Sequence, residues 1–213
     1  MQFDNIIVVS DLDGTLTDQP SSWQYVFEKL DLWDNKAERN LHKFLNNEID
    51  YDKFIELDVK LLKGVSVKSY LEIINSINFR SGFTELFGYF SKLHSKNILV
   101  SSGLMDLANR INSLVPFNEV FANKLHHDGK ILNGEYDKVV GWDEKDRIMR
   151  HIRKTHPKSY IIAFGDTSAD LPLINYSDLN FACFSSSDKL NSAAQHRISN
   201  LQDALTIIQK TLG

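Results

Sequence analysis

The chain has 213 residues, of which 42% are hydrophobic and 24% charged, and its net charge is −4. This composition is typical of a soluble globular protein with one sizeable core and room for a small second unit. The sequence contains no basic tract, so a nucleic-acid partner is not expected.

The first predicted element is a short buried strand, Ile6–Val9. It is too short to cross a membrane and has no basic leader, so we expect neither a membrane span nor a signal peptide. Cys183 is the only cysteine, which excludes an intramolecular disulfide and fits a reducing compartment. We therefore expect a cytoplasmic protein without a membrane partner.

Two acids follow this strand in the segment Asp11-Leu12-Asp13-Gly14-Thr15. Residues two apart in an extended chain point to the same side, so both carboxylates are expected at the carboxyl edge of the strand. Gly14 allows the chain to turn sharply there. Two like charges close together are costly unless a cation or a shared proton relieves them, which indicates a metal, acid–base chemistry, or both. The alternative is an acidic Asp-Gly turn after an edge strand.

The next stretch, from about residue 21 to residue 77, has apolar stripes at helical spacing and no candidate strand. Ser21 or Ser22 is expected to cap the first of four short helices. Because the insertion begins just past the acidic pair, we expect it to lie over that pair. We predict a helical cap domain at 18–78, inserted into a core domain formed by 1–17 and 79–213. The four stripes are Trp23/Val26/Phe27/Leu30, Ala37/Leu41/Phe44/Leu45, Tyr51/Phe54/Ile55/Leu62 and Tyr70/Ile73/Ile74/Ile77.

Strands and helices alternate through the rest of the chain, which predicts an α/β fold with a doubly wound parallel sheet. Between residues 120 and 140, the dipeptides Asp128-Gly129 and Asn133-Gly134 predict a small β-hairpin with tight turns. The other predicted strands are Ile98–Val100, Tyr160–Phe164 and Phe181–Phe184, and the predicted helices are Phe83–His94, Leu104–Leu114, Glu144–Arg153 and Leu201–Leu212.

Polar segments follow the predicted strands at their carboxyl ends, where open α/β sheets bind ligands. Ser101-Ser102-Gly103 follows the second strand, Gly165–Asp170 follows the third, and Lys145 opens the helix before the third. Hydroxyls and a lysine suit a phosphate, while clustered aspartates suit Mg²⁺. Taken singly, the segments have structural alternatives: a helix cap, a solvated surface lysine, and acids favoured by a helix dipole.

Together these segments resemble the four motifs of the haloacid-dehalogenase-like (HAD) phosphatase superfamily. Asp11-Leu12-Asp13-Gly14-Thr15 matches the first motif, DxDGT, and the helical insertion is similar to the superfamily's C1-type cap. Ser101 matches the second motif, Lys145 the third, and Gly165-Asp166 with Asp170 the fourth. The resemblance is closest to the phosphoserine-phosphatase-like members, and it is carried by Val100–Gly103, Val120–Leu125 with Asp128-Gly129-Lys130, and Gly165–Leu171.

The resemblance implies a mechanism based on carboxylates. Asp11 would be the nucleophile that forms an aspartyl-phosphate. Asp13 would be the general acid for the leaving oxygen and then the general base for water. Mg²⁺ would be held by the side chains of Asp11 and Asp166 and by the backbone carbonyl of Asp13.

The resemblance also implies a phosphate-binding set. Ser101, Lys145 and backbone N–H groups of the first loop would bind the phosphoryl oxygens, with Ser102 as the alternative hydroxyl. Asp170 would support the metal site or orient Lys145. Two more residues are expected to support the first loop, Gly14 and Thr15.

Three positions depart from the pattern of the phosphoserine-phosphatase-like members. Pro20 stands where they carry a cap glutamate, Asp58 where they carry a cap arginine, and Ala169 where the fourth motif usually has asparagine. Loss of the arginine removes a bidentate partner for a substrate carboxylate, and an aspartate in its place would repel that carboxylate. The cap therefore does not predict specificity for phosphoserine.

Asp58 also lies on the apolar stripe of a predicted helix, where a carboxylate is costly unless it is paired or faces a wet cavity. One interpretation is a structural one, with Asp58 paired to Lys53 or Lys60 or placed at the edge of the stripe. The other is that Asp58 faces the active site and selects against carboxylates, favouring amine or hydroxyl groups. Trp23 and Phe54 either line the inner surface of the cap or belong to its core.

The leading hypothesis is a Mg²⁺-dependent phosphatase that hydrolyses a small phosphorylated metabolite beneath a cap that opens and closes. A phosphotransferase with the same intermediate is one alternative. A receiver-like regulatory module phosphorylated on Asp11 is another, but receivers lack an inserted cap, and Asp13 supplies a leaving-group acid. No sequence pattern argues for or against an oligomer.

Overall fold

A seven-stranded sheet lies at the centre of the structure, a computed structural model that describes residues 5–141 and 144–212. The strands are β1 (Ile6–Ser10), β2 (Lys96–Leu104), β3 (Glu119–His127), β4 (Leu132–Asp137), β5 (Tyr160–Gly165), β6 (Leu179–Cys183) and β7 (His196–Ile198). Their order is β4-β3-β2-β1-β5-β6-β7, and neighbours are parallel except β3 and β4.

Helices connect these strands and build the insertion after β1. They are α1 (Ser22–Lys29), α2 (Glu38–Leu45), α3 (Tyr51–Leu61), α4 (Val67–Ser76), α5 (Phe83–Lys92), α6 (Met105–Asn112), α7 (Lys145–Thr155), α8 (Leu171–Asn175), α9 (Asp188–Ala193) and α10 (Leu201–Leu212). Within residues 5–141 and 144–212, no helix has both the length and the apolar character that a membrane crossing requires.

The central strand β1 is buried on both faces because its side chains alternate between two apolar layers. Val8 packs in the layer that includes Phe87 of α5, whereas Ile7 and Val9 pack in the layer that includes Met149 of α7. This alternation is the period of two that a strand imposes. Helices on both faces of a mostly parallel sheet confirm the predicted doubly wound α/β fold.

The register of the sheet brings three strand ends to one edge. Ser10, the last residue of β1, lies beside Leu99 of β2 on one side and Phe164 of β5 on the other. The residues that follow β1 and β5 therefore lie at the carboxyl edge of the sheet, next to the continuation of β2 from Leu99 to Leu104.

The helical insertion is joined to the sheet by two adjacent chain segments. Thr17 and Phe79 form an antiparallel bridge, and the flanking hydrogen bonds run from Asp18 N to Asn78 O (3.1 Å) and from Arg80 N to Leu16 O (2.8 Å). Helices α1 to α4 lie between these segments, as the apolar stripes predict. The division into a cap at 18–78 and a core stays a prediction. Residues 1–4, 142, 143 and 213, which it assigns to the core, lie outside the described residues.

The β-hairpin differs in detail from its prediction. β3 and β4 are antiparallel, with a turn at Asp128-Gly129, but β3 also pairs in parallel with β2 and so belongs to the main sheet. The predicted turn at Asn133-Gly134 is wrong, since both residues lie inside β4. There the pairing register shifts and Gly134 has a φ of +83°, so the Asn-Gly pair marks an irregularity of the strand.

Candidate active site

The acidic pair lies where β1 ends, in a loop that turns back beneath the end of β5. The backbone N–H of Asp11 donates to the carbonyl of Phe164 (3.0 Å), which extends the β1–β5 pairing by one residue. Gly14 has a φ of +74°, and a Cβ at this position would lie 2.2 Å from Oδ2 of Asp166. Only glycine therefore lets this loop approach Asp166 so closely.

Three carboxylates meet at this edge of the sheet. Each of Asp11, Asp166 and Asp170 offers an oxygen, and the three oxygens lie within 4.8 Å of one another. The hydroxyl of Thr15 also donates to Oδ1 of Asp166 (3.3 Å). An all-oxygen donor set of this kind suits Mg²⁺.

Crowding of these acids has an electrostatic cost. Burial raises the pKa of both Asp11 and Asp166 above the ordinary aspartate value, and neighbouring carboxylates raise the pKa further. For Asp11 the lysine Lys145 opposes the rise. A divalent cation between Asp11 and Asp166 would stabilise both ionised carboxylates, so the residues present fit a metal.

Lys145 is the first residue of α7, and its side chain is buried instead of solvated. Its Nζ donates to Oδ1 of Asp11 (2.8 Å) and to Oδ1 of Asp170 (2.6 Å). Burial disfavours the ammonium, but these two carboxylates outweigh burial and raise the lysine pKa. The cation is therefore held beside Asp11.

Both carboxylate oxygens of Asp170 accept hydrogen bonds. Its Oδ1 accepts from Lys145, and its Oδ2 accepts from the backbone N–H groups of Asp166 and Thr167 (3.0 Å each). Gly165 leaves room for this carboxylate, since a Cβ there would lie 2.4 Å from Cβ of Asp170. The contacts favour the predicted role of Asp170 in orienting Lys145 over a role as a direct metal ligand.

The carboxyl-terminal part of β2, which extends beyond the predicted Ile98–Val100 to Leu104, approaches the second acid of the pair. Ser101 is buried, and its Oγ accepts from the backbone N–H of Gly103 (3.0 Å). A Cβ at Gly103 would lie 2.5 Å from Oδ2 of Asp13, so this part of β2 packs directly on that carboxylate. Ser102 is only half-buried, and its carbonyl accepts hydrogen bonds from Trp23 and Asn123. The geometry favours Ser101 as the hydroxyl of the site.

Asp13 is surrounded differently from Asp11. Its Oδ2 accepts two hydrogen bonds from Ser22, one from the backbone N–H (2.8 Å) and one from the hydroxyl (2.7 Å). Its Oδ1 is buried and has no hydrogen-bond partner among residues 5–141 and 144–212. Burial raises the pKa of Asp13, and both bonds from Ser22 oppose the rise. Asp13 therefore keeps its proton to a higher pH than an exposed aspartate does.

Two residues of the site were not recognised in the sequence. For Ser22 the sequence predicts only a possible helix cap, a role that Ser21 fills by accepting from Gln24 N. Asn123 is buried in β3, where its side chain bonds the carbonyls of Ser102 and Val140. A polar residue within the apolar run Phe121-Ala122-Asn123 was the available signal for Asn123.

The predicted cap residues have different surroundings. The indole N–H of Trp23 donates to the carbonyl of Ser102 (3.1 Å), so α1 contacts the carboxyl-terminal part of β2. Phe54 stacks on Phe44 of α2, with 5.2 Å between ring centroids. Phe54 therefore packs against another cap helix in this structure. Pro20, where relatives are expected to carry a glutamate, lines a cavity of about 390 Å³ beside Asp166.

Asp58 is buried, and its hydrogen-bond partner is neutral. Its Oδ1 accepts from Nδ2 of Asn40 on α2 (2.8 Å). The predicted pairing with Lys53 or Lys60 is wrong, because both lysines bond Glu56 on the exposed face of α3. Burial raises the pKa of Asp58 to about 7, and the Asn40 hydrogen bond only partly opposes the rise.

The chain is similar to known proteins in sequence and in fold. A family model described as haloacid dehalogenase-like hydrolase matches residues 8–175. The chain is 28% identical to a probable phosphoserine phosphatase of Schizosaccharomyces pombe, over 95% of this chain and 69% of the relative. It is 26% identical to the phosphoserine phosphatase of Lactococcus lactis, over 95% of this chain and 94% of the relative.

Solved structures share the fold. A phospho-aspartyl intermediate analogue of phosphoserine phosphatase matches with a TM-score of 0.77 at 19% identity. A substrate-bound phosphoserine phosphatase complex matches with a TM-score of 0.78 at 17% identity. Each match covers 97% of this chain and 99% of the other. At these identities the likeness shows a common fold.

Proposed function

The chain belongs to the haloacid dehalogenase-like hydrolase family, and we propose that it hydrolyses small phosphate monoesters through an aspartyl-phosphate on Asp11. The observation that carries the proposal is the contrast between the two acids of the first loop. Asp11 is bonded to a buried lysine cation, whereas Asp13 is bonded to the neutral Ser22 and has one unpartnered oxygen among the described residues. Relatives named phosphoserine phosphatase at 26–28% identity support a phosphatase.

Asp11 is the nucleophile in this proposal. The hydrogen bond from Lys145 to Oδ1 orients the carboxylate and opposes the rise in its pKa that burial causes. A carboxylate oxygen of Asp11 attacks phosphorus and the ester P–O bond breaks, which leaves a phosphoryl group on Asp11. Lys145 and the hydroxyl of Ser101, with Ser102 as the alternative, bind the phosphoryl oxygens as negative charge spreads over them.

Asp13 handles the proton in both half-reactions. Its raised pKa allows it to give a proton to the leaving oxygen in the first step. The resulting carboxylate accepts a proton from the water that attacks the aspartyl-phosphate in the second step. Both tasks suit Oδ1, which makes no hydrogen bond to the described residues.

The acidic cluster fits a bound Mg²⁺ ion. The side chains of Asp11 and Asp166 and the backbone carbonyl of Asp13 would hold it, with Gly14 and Thr15 supporting Asp166. When bound, the ion supplies positive charge that lets an anionic nucleophile approach an anionic phosphate.

The substrate is a small phosphorylated metabolite in this proposal. The contact between Trp23 and Ser102 supports a cap helix lying over the site, which leaves little room for a macromolecular substrate. Asp58, Trp23 and Phe54 remain candidates for residues that select the leaving group. The lone cysteine supports a cytoplasmic location.

The test is metal-dependent release of p-nitrophenol from p-nitrophenyl phosphate. Wild-type protein should be active with Mg²⁺ and inactive with EDTA, and Asp11→Asn should lose more than about a thousandfold in kcat. Asp203→Asn is the matched control, since it makes the same change at an exposed acid on α10 and should retain full activity.

Acid quenching during turnover should also trap phosphate on the wild-type chain in a form that hydroxylamine releases, as expected of an acyl phosphate. Asp11→Asn should trap none. If the wild-type protein releases no p-nitrophenol above the Asp11→Asn background, the proposed function is wrong. Trapped phosphate that turns over only when an alcohol is added would instead indicate a phosphotransferase.

A further inference from the structure

We propose that Ser22 is a positioning residue that aims the carboxyl group of Asp13 at the leaving oxygen. This inference rests on the proposed function, because it assigns Ser22 a task within that reaction. Ser22 lies at the start of α1 in the cap, nine residues after Asp13, and its side chain is completely buried.

The contacts around Ser22 fix one oxygen of Asp13. Both donors of Ser22, the backbone N–H at 2.8 Å and the hydroxyl at 2.7 Å, point to Oδ2. The hydroxyl is itself oriented, because Oγ accepts from the backbone N–H of Leu104 (3.3 Å). A hydroxyl that accepts from Leu104 has its own proton directed at Asp13.

This pattern decides which oxygen carries the proton. Oδ2 faces two donors, so a proton on Oδ2 would point against them, and the carboxylic acid is protonated on Oδ1 instead. Oδ1 is buried and makes no hydrogen bond to any described residue, which leaves it available to the substrate. Ser22 therefore separates the oxygen that anchors the acid from the oxygen that reacts.

The step can be written with its atoms and electrons balanced. An oxygen of Asp11 forms a bond to phosphorus while the ester P–O bond breaks, and the electron pair of that bond stays on the leaving oxygen. The leaving oxygen takes the proton from Oδ1 of Asp13. Asp13 becomes a carboxylate, and both hydrogen bonds from Ser22 to Oδ2 strengthen as its charge develops.

The same contacts make the aim of Asp13 depend on where α1 lies. Ser22 belongs to the cap, whereas Leu104 ends β2 and Gly103 precedes it in the sheet. A Cβ at Gly103 would come within 2.9 Å of the Ser22 hydroxyl, so the helix start and the strand end are in close contact. Asp13 is oriented by Ser22 only while α1 is docked on this strand end.

The experiment compares esters whose leaving groups need the acid to different degrees. Values of kcat/KM are measured for p-nitrophenyl phosphate, phenyl phosphate and a simple alkyl phosphate. p-Nitrophenolate leaves readily without a proton, whereas an alkoxide does not. Ser22→Ala should lower kcat/KM about tenfold for the alkyl ester and less than about threefold for the p-nitrophenyl ester.

Ser21→Ala is the matched control. It removes a hydroxyl from the adjacent residue and weakens the cap of α1, where Ser21 accepts from Gln24 N, without removing a bond to Asp13. It should therefore lower kcat/KM by the same factor for all three esters. In an Asp13→Asn background, adding Ser22→Ala should leave the ratio between the phenyl and p-nitrophenyl esters unchanged, because the residue through which Ser22 acts has been removed.

A uniform loss for Ser22→Ala across the three esters would show that Ser22 only stabilises the fold and would overturn the inference. A further change in the ester ratio in the Asp13→Asn background would overturn it as well. Failure of the wild-type chain to hydrolyse any of the esters with Mg²⁺ is a different result, since it removes the proposed function on which the inference rests.

Discussion

Lys145 donates a hydrogen bond from Nζ to Oδ1 of Asp11 across 2.8 Å, and these residues are 134 positions apart in the chain. Both side chains are almost fully buried. A buried lysine without a carboxylate partner, or a buried carboxylate pair without a cation, would be costly. The two residues therefore depend on each other for their charge states, and this dependence has a measurable consequence.

Replacing Lys145 with methionine should both destabilise and inactivate the protein. The change leaves the buried Asp11 and Asp170 without their cation, which costs about 3–5 kcal/mol of unfolding free energy. Chemical denaturation measures this loss. Lys60→Met is the control, because Lys60 forms an exposed ion pair with Glu56 and should cost less than about 1 kcal/mol. Equal losses for the two variants would contradict the buried pairing.

Replacing Gly14 with alanine should weaken metal binding as well as stability. The new Cβ would lie 2.2 Å from Oδ2 of Asp166, at a residue whose φ is +74°. Gly64→Ala separates the two effects, since Gly64 has a φ of +87° and no atom within 4 Å of the added Cβ. Titration with Mg²⁺ should show at least about a tenfold weaker affinity for Gly14→Ala only, while both variants lose about 1–2 kcal/mol from the backbone strain. Unchanged affinity in Gly14→Ala would argue against Asp166 as a ligand.

Asp58 should make stability depend on pH. Burial raises its folded-state pKa to about 7, whereas an unfolded aspartate titrates near about 4. The folded protein therefore binds more protons between these values, so stability falls as pH rises through that window. The gain in unfolding free energy from Asp58→Asn should be about 2–4 kcal/mol larger at pH 8 than at pH 5.

Glu56→Gln is the control for this measurement, because the pKa of Glu56 is lowered instead of raised. Hydrogen bonds from Lys60 and Lys53 lower the pKa of Glu56 to about 2, so any stability that it contributes is lost only as the pH falls toward that value. Glu56→Gln should therefore leave the difference in unfolding free energy between pH 5 and pH 8 the same as in the wild type. If Asp58→Asn changes the unfolding free energy equally at pH 5 and pH 8, the raised pKa of Asp58 is wrong.

Asp58 can be tested separately for a role in substrate choice. Phosphoserine and phosphoethanolamine differ by a carboxylate, so the ratio of their kcat/KM values reports how the cap treats that group. If Asp58 faces the substrate, Asp58→Asn should raise kcat/KM for phosphoserine severalfold relative to that for phosphoethanolamine. Asp58→Arg should raise this ratio further, because arginine offers the substrate carboxylate a bidentate partner. An unchanged ratio in Asp58→Asn, with the pH effect above intact, would assign Asp58 to the structure of the cap alone.

The strand-end residues could be predicted because their position follows from local patterns. Asp11 and Asp166 come directly after a short strand, and Ser101 follows the apolar run Ile98–Val100 within β2. Parallel strands place their carboxyl ends at one edge, so a short continuous apolar run followed by a polar residue is enough to bring the three together. The helices of the insertion were predictable for the same reason, from the period of their apolar stripes.

The partner of Asp58 could not be predicted in this way. Glu56 lies three residues after Lys53 and four residues before Lys60, and both spacings bring side chains together on one face of a helix. Glu56 therefore binds both lysines on the exposed face of α3. Asn40 reaches Asp58 from another helix, and its approach is set by how α2 packs on α3.

Residue type and spacing were thus sufficient for the α/β alternation, the helical insertion and the acids at the strand ends, because each depends on neighbours within a few residues. Packing in three dimensions was needed to bury Lys145 between Asp11 and Asp170, to bring Asn40 to Asp58, and to seat Ser22 on Asp13. Those contacts join separate elements, and their distances depend on how helices settle on the sheet, which leaves no period in the sequence. The identity of the acid pair was local information, whereas the difference between its two members came from their tertiary partners.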